Sequence, residues 1–197
     1  MKVGVLQFFS WPERRVELAA VYARALERIE IMDRTGYDAV WLAEHHFSSF
    51  SVCPSVHMVG TLAAARTTRL RIGTAVSLAP FYHPLRLAEE VALLDLLSGG
   101  RVNWGAGRGF ARVEFENFGV PPEESASRFR ETVEIAGAEQ PIGERIGQVH
   151  VGAHHDRLVV MGDVMAPDRV HERDVADDPV ILDVAAPVEQ LVIEVDA

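Results

Sequence analysis

Tyr37-Asp38-Ala39-Val40-Trp41-Leu42-Ala43-Glu44-His45-His46-Phe47 is the stretch that decides the fold. Residues 39–43 are uniformly apolar, and the run then ends on a carboxylate and two imidazoles. A strand with no polar alternation is one covered on both faces, the habit of parallel sheets. In barrels and open α/β sheets alike, ligands meet the protein at the C-terminal ends of the strands. Histidine is the side chain that titrates closest to neutral pH, so Glu44, His45 and His46 are the first candidates for chemistry. The plainer alternative is that the two histidines cap the strand and bond to local backbone.

Outward from this strand the pattern repeats. Lys2 to Phe9 reads as a preceding strand, broken at Ser10-Trp11-Pro12. From about Arg14 to Arg34, Leu18, Tyr22, Ala25, Ile29 and Met32 recur at helical spacing, and Gly36 is placed to stop the helix. Pro54 to Arg66 reads as a second helix with proline in its first turn. Leu70 to Leu78 is a third strand, Leu85 to Leu97 a third helix ended by Ser98-Gly99-Gly100, and Arg101 to Gly107 a fourth strand. A loop carrying Gly109, Gly119, Pro121 and Pro122 leads to a fourth helix, from about Glu124 to Ala138. Four strand-helix units in succession predict an α/β fold, a parallel sheet joined by right-handed crossovers. The pattern alone leaves an open sheet and a closed barrel equally open.

Past residue 140 the rhythm stops. Residues 141–197 are rich in Asp, Val and His, with short strand-like runs at 148–152, 157–161, 180–185 and 191–195 and no amphipathic helix between them. The expected organisation is therefore a βα portion over 1–140 and a divergent segment over 141–197, an irregular or β-rich cap or a disordered tail.

The 197-residue chain is 48% hydrophobic and 24% charged, enough for one core of fair size. Its net charge of −10 and lack of any basic cluster argue against a nucleic-acid partner. A single cysteine, Cys53, rules out a disulfide framework within the chain. No secretory leader and no bilayer-spanning apolar stretch is visible, so a soluble cytoplasmic protein with no membrane partner is expected.

Further candidates also stand at strand ends. Gly105-Ala106-Gly107-Arg108-Gly109 allows close approach of backbone to a flat or anionic ligand, with Arg108 able to grip a phosphate. It is not the dinucleotide fingerprint, which would need glycine where Phe110 stands. Gly73-Thr74-Ala75-Val76-Ser77 leaves room for a planar group, or is simply close packing. Phe81-Tyr82-His83-Pro84 offers aromatics for a pocket mouth, or has His83 leading a helix on which Arg86 pairs with Glu90. No His-x-x-x-His pair falls on a helix, and no metal is expected.

Taken in register, Glu44-His45-His46-Phe47, Leu70–Ala75, His83–Glu89, Asp95 with Ser98-Gly99-Gly100-Arg101, and Gly107-Arg108-Gly109 resemble the bacterial luciferase-like monooxygenase family over roughly residues 1–138. The Glu-His-His form resembles the flavin mononucleotide branch more than the deazaflavin branch. The resemblance implies a (β/α)₈ barrel with its site at the C-terminal face. It also implies reduced FMN delivered by a flavin reductase, and dioxygen used to oxygenate a small organic substrate such as an aldehyde. It makes His45 the catalytic base. Glu44, Ala75, Val76, Gly107, Arg108 and, in a looser register, Arg128 are implied as cofactor contacts. His46, His83 and Phe110 are the implied substrate pocket. Ala75-Val76 matches a step that is a non-prolyl cis peptide in the luciferases, and Gly107 stands where their catalytic subunit has a reactive cysteine, which argues against light emission. Homodimers form in this family through early helices, here Pro54–Arg66 and Leu85–Leu97.

A closed barrel of this type usually takes about 250 residues. The expectation is accordingly a partial barrel of about four N-terminal βα units, either a natural short form like the family's non-fluorescent flavoprotein or a truncated or frame-shifted gene product with impaired activity. The alternatives to an active monooxygenase are a non-catalytic flavin-binding protein or inactive fragment that keeps the half-barrel, and an open-sheet binding domain unrelated to flavin.

Overall fold

Successive buried residues of the first strand face opposite sides of the sheet, Val5 toward one apolar cluster and Leu6 toward another, which sets the layering of the molecule. The computed structural model describes residues 2–137, 159–160 and 190–195. Strand β1 (Lys2–Gln7) pairs in parallel with β2 (Ala39–Leu42), with Val5 opposite Val40 and Gln7 opposite Leu42. Strand β2 pairs in parallel with β3 (Arg71–Thr74), and β3 with β5 (Val102–Asn103). Helices α1 (Leu18–Thr35), α2 (Val56–Arg66) and α3 (Pro84–Ser98) make the crossovers. Val5, Phe9, Val40, Leu42 and Ile72 point to the helices and share one core with Val21, Ile29, Ala63, Leu87 and Leu94. Burying each large aliphatic side chain there is worth about 1.5–3 kcal/mol.

The opposite sheet face carries a smaller cluster of Leu6, Ala39, Trp41 and Ala43, with Phe8 and Ala75 against it. Trp41 lies flat over Gly73 on the neighbouring strand; any Cβ at 73 would overlap the indole ring. A Cβ at Gly4 would sit 2.9 Å from Trp41 Nε1. Both glycines are thus needed for close approach, not for turning.

Three predicted elements come out differently. The third strand breaks at Ala75-Val76, whose peptide bond is cis, and resumes as β4 (Ser77–Leu78). The fourth breaks at Trp104 and resumes as β6 (Gly105–Gly107), which pairs in parallel with β4. Trp104 turns its indole into the helix-side core and donates to Ser77 Oγ at 3.3 Å. The expected loop after residue 109 holds a two-turn helix, α4 (Arg112–Phe118), ended by Gly119 at φ 64°. The other helices are shifted by a few residues. α1 starts at Leu18, and α2 starts at Val56 because the Ser55 hydroxyl caps the Met58 amide, leaving Pro54 outside. Helix α5 spans Ser125–Gly137.

Two further strands border the sheets. β7 (Val159–Val160) pairs in parallel with β6, and β8 (Gln190–Val195) pairs antiparallel with β1, so the order is β5-β3-β2-β1-β8 in one sheet and β4-β6-β7 in the other. The strand-like runs at 148–152 and 180–185 lie outside the described residues.

Two polar fasteners hold the helices to this frame. Asp33 of α1 accepts the backbone amides of Thr68, Arg69 and Leu70 at 3.0, 3.0 and 2.7 Å, tying down the α2–β3 connection. Burial alone would raise its carboxyl, but those amides outweigh it and hold it below the ordinary carboxylate range. A depressed acid stabilises the fold above its unfolded pKa of about 4, and that contribution is lost as pH falls through the folded value. Asp33→Ala is expected to cost about 1–2 kcal/mol at neutral pH. In urea unfolding, the gap from the parent protein should close below about pH 4. A gap that stays constant through that range would contradict this.

The second fastener is Arg101. Its guanidinium donates to the carbonyls of Ala64, Thr67, Leu70 and Ser98 and to Thr67 Oγ1, at 2.7–3.2 Å. The neighbouring Asp95 side chain accepts the Val102 amide at 3.1 Å, and Gly99 and Gly100, both at positive φ, carry the chain off α3.

Candidate functional site

Glu44 stands two residues past the end of β2 and is only 2% exposed, so its carboxylate must be satisfied from within. The Tyr82 hydroxyl donates to Oε2 at 2.9 Å, the Leu78 amide approaches the same oxygen at 3.4 Å, and His46 Nε2 lies 3.0 Å from Oε1. Tyr82 comes from the loop between β4 and α3, so two strand ends meet on one carboxylate. Burial, and secondarily the charge of Glu44, pushes the Tyr82 phenol far above its ordinary range, which keeps it a donor.

His45 is held by backbone. Its N–H donates to Cys53 O at 3.1 Å and its carbonyl accepts the Cys53 amide at 3.2 Å, a short antiparallel bridge. The intervening loop is fastened to the β1 extension as well: Val52 N–H donates to Phe9 O at 2.9 Å, Phe9 N–H to Ser51 Oγ at 3.0 Å, and Trp11 N–H to Ser49 O at 2.9 Å. The imidazole ring stacks on Phe8 and meets Phe50 and Phe110 edge-on, with centroids 5.8–6.3 Å away. Phe50 and Phe110 are 58% and 71% exposed and form the outer wall. His46 meets Phe118 edge-on at 4.8 Å.

A second buried carboxylate, Glu114 of α4, closes the site from the far side. Its Oε1 accepts the His46 amide at 3.0 Å and lies 3.8 Å from His45 Nδ1. Both histidines therefore have a carboxylate partner, one in hydrogen-bond contact and one just beyond it.

Below them lies another polar layer. His57 of α2 sits 3.0 Å from Ser77 Oγ and packs its ring edge-on to Tyr82. Its Nδ1 is 3.4 Å from Glu90 Oε2 but makes no aligned hydrogen bond, and Glu90 pairs in turn with Arg86 at 2.9 Å. Burial lowers the His57 pKa against the pull of Glu44 and Glu90, so the ring is neutral near pH 7. Burial and the Glu44 charge push the Cys53 thiol up to about 12, which removes it as a nucleophile.

The remaining candidates have contacts of their own. Ala75-Val76 and Gly107 face each other across β4 and β6: a Cβ at 107 would overlap Val76 Cγ2. Arg108 follows, half-buried. His83 is exposed at the N-cap of α3, where its carbonyl, not its ring, accepts the Leu87 amide at 3.0 Å. Arg128 is exposed on α5 and paired with Glu124 at 2.9 Å. Among the described residues, no group of three His, Cys, Asp or Glu side chains is placed to hold a metal ion. No described helix is long and apolar enough to cross a membrane.

Gly107→Ala is expected to displace Val76 and cost about 1–3 kcal/mol by overpacking. The double variant with Val76→Ala should recover most of that loss, because the two positions share one space. Additive losses in thermal unfolding would contradict this contact.

Residues 1–138 match the family described as luciferase-like monooxygenase. The chain is 35% identical over 115 residues to the oxygenase component of flavin-dependent trigonelline monooxygenase from Acinetobacter baylyi, covering 57% of this chain and 32% of that protein. The structure is similar to that of monooxygenase RslO1 from Streptomyces bottropensis, at TM-score 0.64 and 33% identity over 69% of this chain and 42% of the other. The fold alone is shared with the FMN-bound oxygenating constituent of 3,6-diketocamphane monooxygenase from Pseudomonas putida, at TM-score 0.64, 20% identity, and 69% and 38% coverage. The chain spans about a third of the length of the curated relatives it matches.

Proposed function

The chain belongs to the luciferase-like monooxygenase family, and from that premise we propose that it oxidises a small, aldehyde-like organic substrate with reduced FMN and dioxygen. The observation that carries this reading is convergence. Glu44-His45-His46, Ala75-Val76 and Gly107-Arg108 sit at the C-terminal ends of neighbouring strands, around one buried carboxylate network. In this reading the strand-end backbone of Ala75, Val76 and Gly107 would lie against the flat flavin ring, and Arg108, next along the chain, would be the phosphate contact. Arg128 would reach the same phosphate only by leaving Glu124.

When bound, the reduced flavin supplies the electrons and, with dioxygen, the transferred oxygen. The protein's part is to orient and to exclude water. His45 acts as the proton acceptor, and Phe8, Phe50 and Phe110 keep its surroundings dry and receive the substrate's apolar body. In this reading His46 and His83 complete the substrate pocket.

A separate reductase supplies the reduced FMN in this reading, in keeping with the Acinetobacter relative being an oxygenase component. The partner in the assembly is a second copy of the chain, through α2 and α3, which leave Met58, Leu62, Leu85, Leu93 and Leu96 exposed. The cytoplasm is the compartment that fits a reductase-fed enzyme with one buried thiol.

Fluorescence titration of the purified chain with oxidised and reduced FMN, beside a circular dichroism spectrum, tests the reading. Micromolar binding by a folded chain is the expected result. A folded chain that binds neither form would overturn it.

A further inference from the structure

Glu44, expected as a cofactor contact, makes its polar contacts with Tyr82, Leu78 and His46. We propose that Glu44 is a positioning residue that fixes His46 as its Nε2–H tautomer, leaving Nδ1 of His46 as a second proton-accepting atom of the site beside His45. This rests on the reading of the site as the place of oxidation.

The argument is one of donor and acceptor counting. Oε2 of Glu44 accepts from the Tyr82 hydroxyl and faces the Leu78 amide, so both of these groups donate to the carboxylate. Oε1 is left as an acceptor 3.0 Å from His46 Nε2. The proton therefore belongs on Nε2, and the lone pair on Nδ1. A carboxylate on one ring nitrogen also stabilises the imidazolium formed when the other nitrogen takes a proton. The step is a simple transfer: an acidic proton of substrate or water moves to Nδ1, the Nε2 proton stays shared with Glu44, and the Nδ1 proton is returned to product or solvent. The backbone of His46 is anchored independently by Glu114, so the ring is held at its amide and at Nε2. His45 differs, since its nearest carboxylate oxygen lies 3.8 Å from Nδ1, outside hydrogen-bond range.

Nitrogen-15 NMR of the histidine rings in the flavin-free chain reads the tautomer directly. The protein is expected to show His46 protonated at Nε2 at neutral pH. In Glu44→Gln the amide can donate to Nε2, so the proton should move to Nδ1. In Tyr82→Phe the loosened carboxylate should leave a mixture. Turnover of decanal with reduced FMN should fall about 10²–10⁴-fold in Glu44→Gln at unchanged KM and flavin affinity. A His46 protonated at Nδ1 in the unaltered chain, or a tautomer that Glu44→Gln does not change, would overturn the proposal. So would a switched tautomer with turnover intact. A chain that shows the tautomer but turns over no aldehyde overturns the function proposed above and leaves the Glu44–His46 geometry standing.

Discussion

His45→Ala is expected to lower substrate oxidation by about 10²–10⁴-fold while leaving flavin binding largely intact. The split follows from how the residue is held. Its contribution to the fold is made by its N–H and carbonyl, which bond to Cys53 and survive the substitution. Its ring is what Phe8, Phe50, Phe110 and the Glu114 carboxylate surround. A thermal midpoint close to that of the parent chain would confirm that lost turnover is not lost structure. Steady-state oxidation of decanal with reduced FMN measures the effect, and unchanged turnover in the variant would remove His45 from the chemistry.

Arg101→Ala is expected to produce the largest loss of stability, about 3–5 kcal/mol. Four carbonyls and a hydroxyl share this guanidinium, and Ala64 O and Thr67 O are among the unpaired groups at the C-terminal end of α2. A cation there also complements the helix dipole. With a typical domain stable by only about 5–15 kcal/mol, the variant should unfold at a much lower urea concentration. Lysine should restore less than half of the loss, because a single ammonium cannot span acceptors spread from Ala64 to Ser98. A midpoint unmoved by Arg101→Ala would show that water replaces these bonds without cost. The Ser98-Gly99-Gly100-Arg101 motif is thus explained by folding, not by ligand.

The strand-helix rhythm through residue 137 was legible because each element carries its own period and its own stop. Gly36 and Gly99 end helices at the positions that a sequence reader expects. The Glu44-His45-His46 cluster was legible for a similar local reason, a buried strand running into polar groups. What was not legible depends on distance along the chain. Glu114 meets His46 across 68 residues and Tyr82 meets Glu44 across 38, and no local pattern announces either pairing. By sequence Tyr82 is one of two aromatics at a pocket mouth, with nothing to single out its hydroxyl. Helix α4 was hidden because its seven residues lie between Gly109 and Gly119, and the turn residues at both ends dominate the reading. The break at Ala75-Val76 could not be read from propensity, since neither residue is proline; only the family resemblance pointed to it.

The bridge between His45 and Cys53, with the bonds that tie Ser49, Ser51 and Val52 to the β1 extension, has a thermodynamic consequence for any ligand. Ordering a free loop of this length at the moment of association would be charged against affinity, at about 1–2 kcal/mol per residue fixed. Here that conformational entropy has been surrendered during folding. A ligand docking against Phe50 would meet a wall already ordered, so its dissociation rate would depend on contact quality and not on re-melting of the loop.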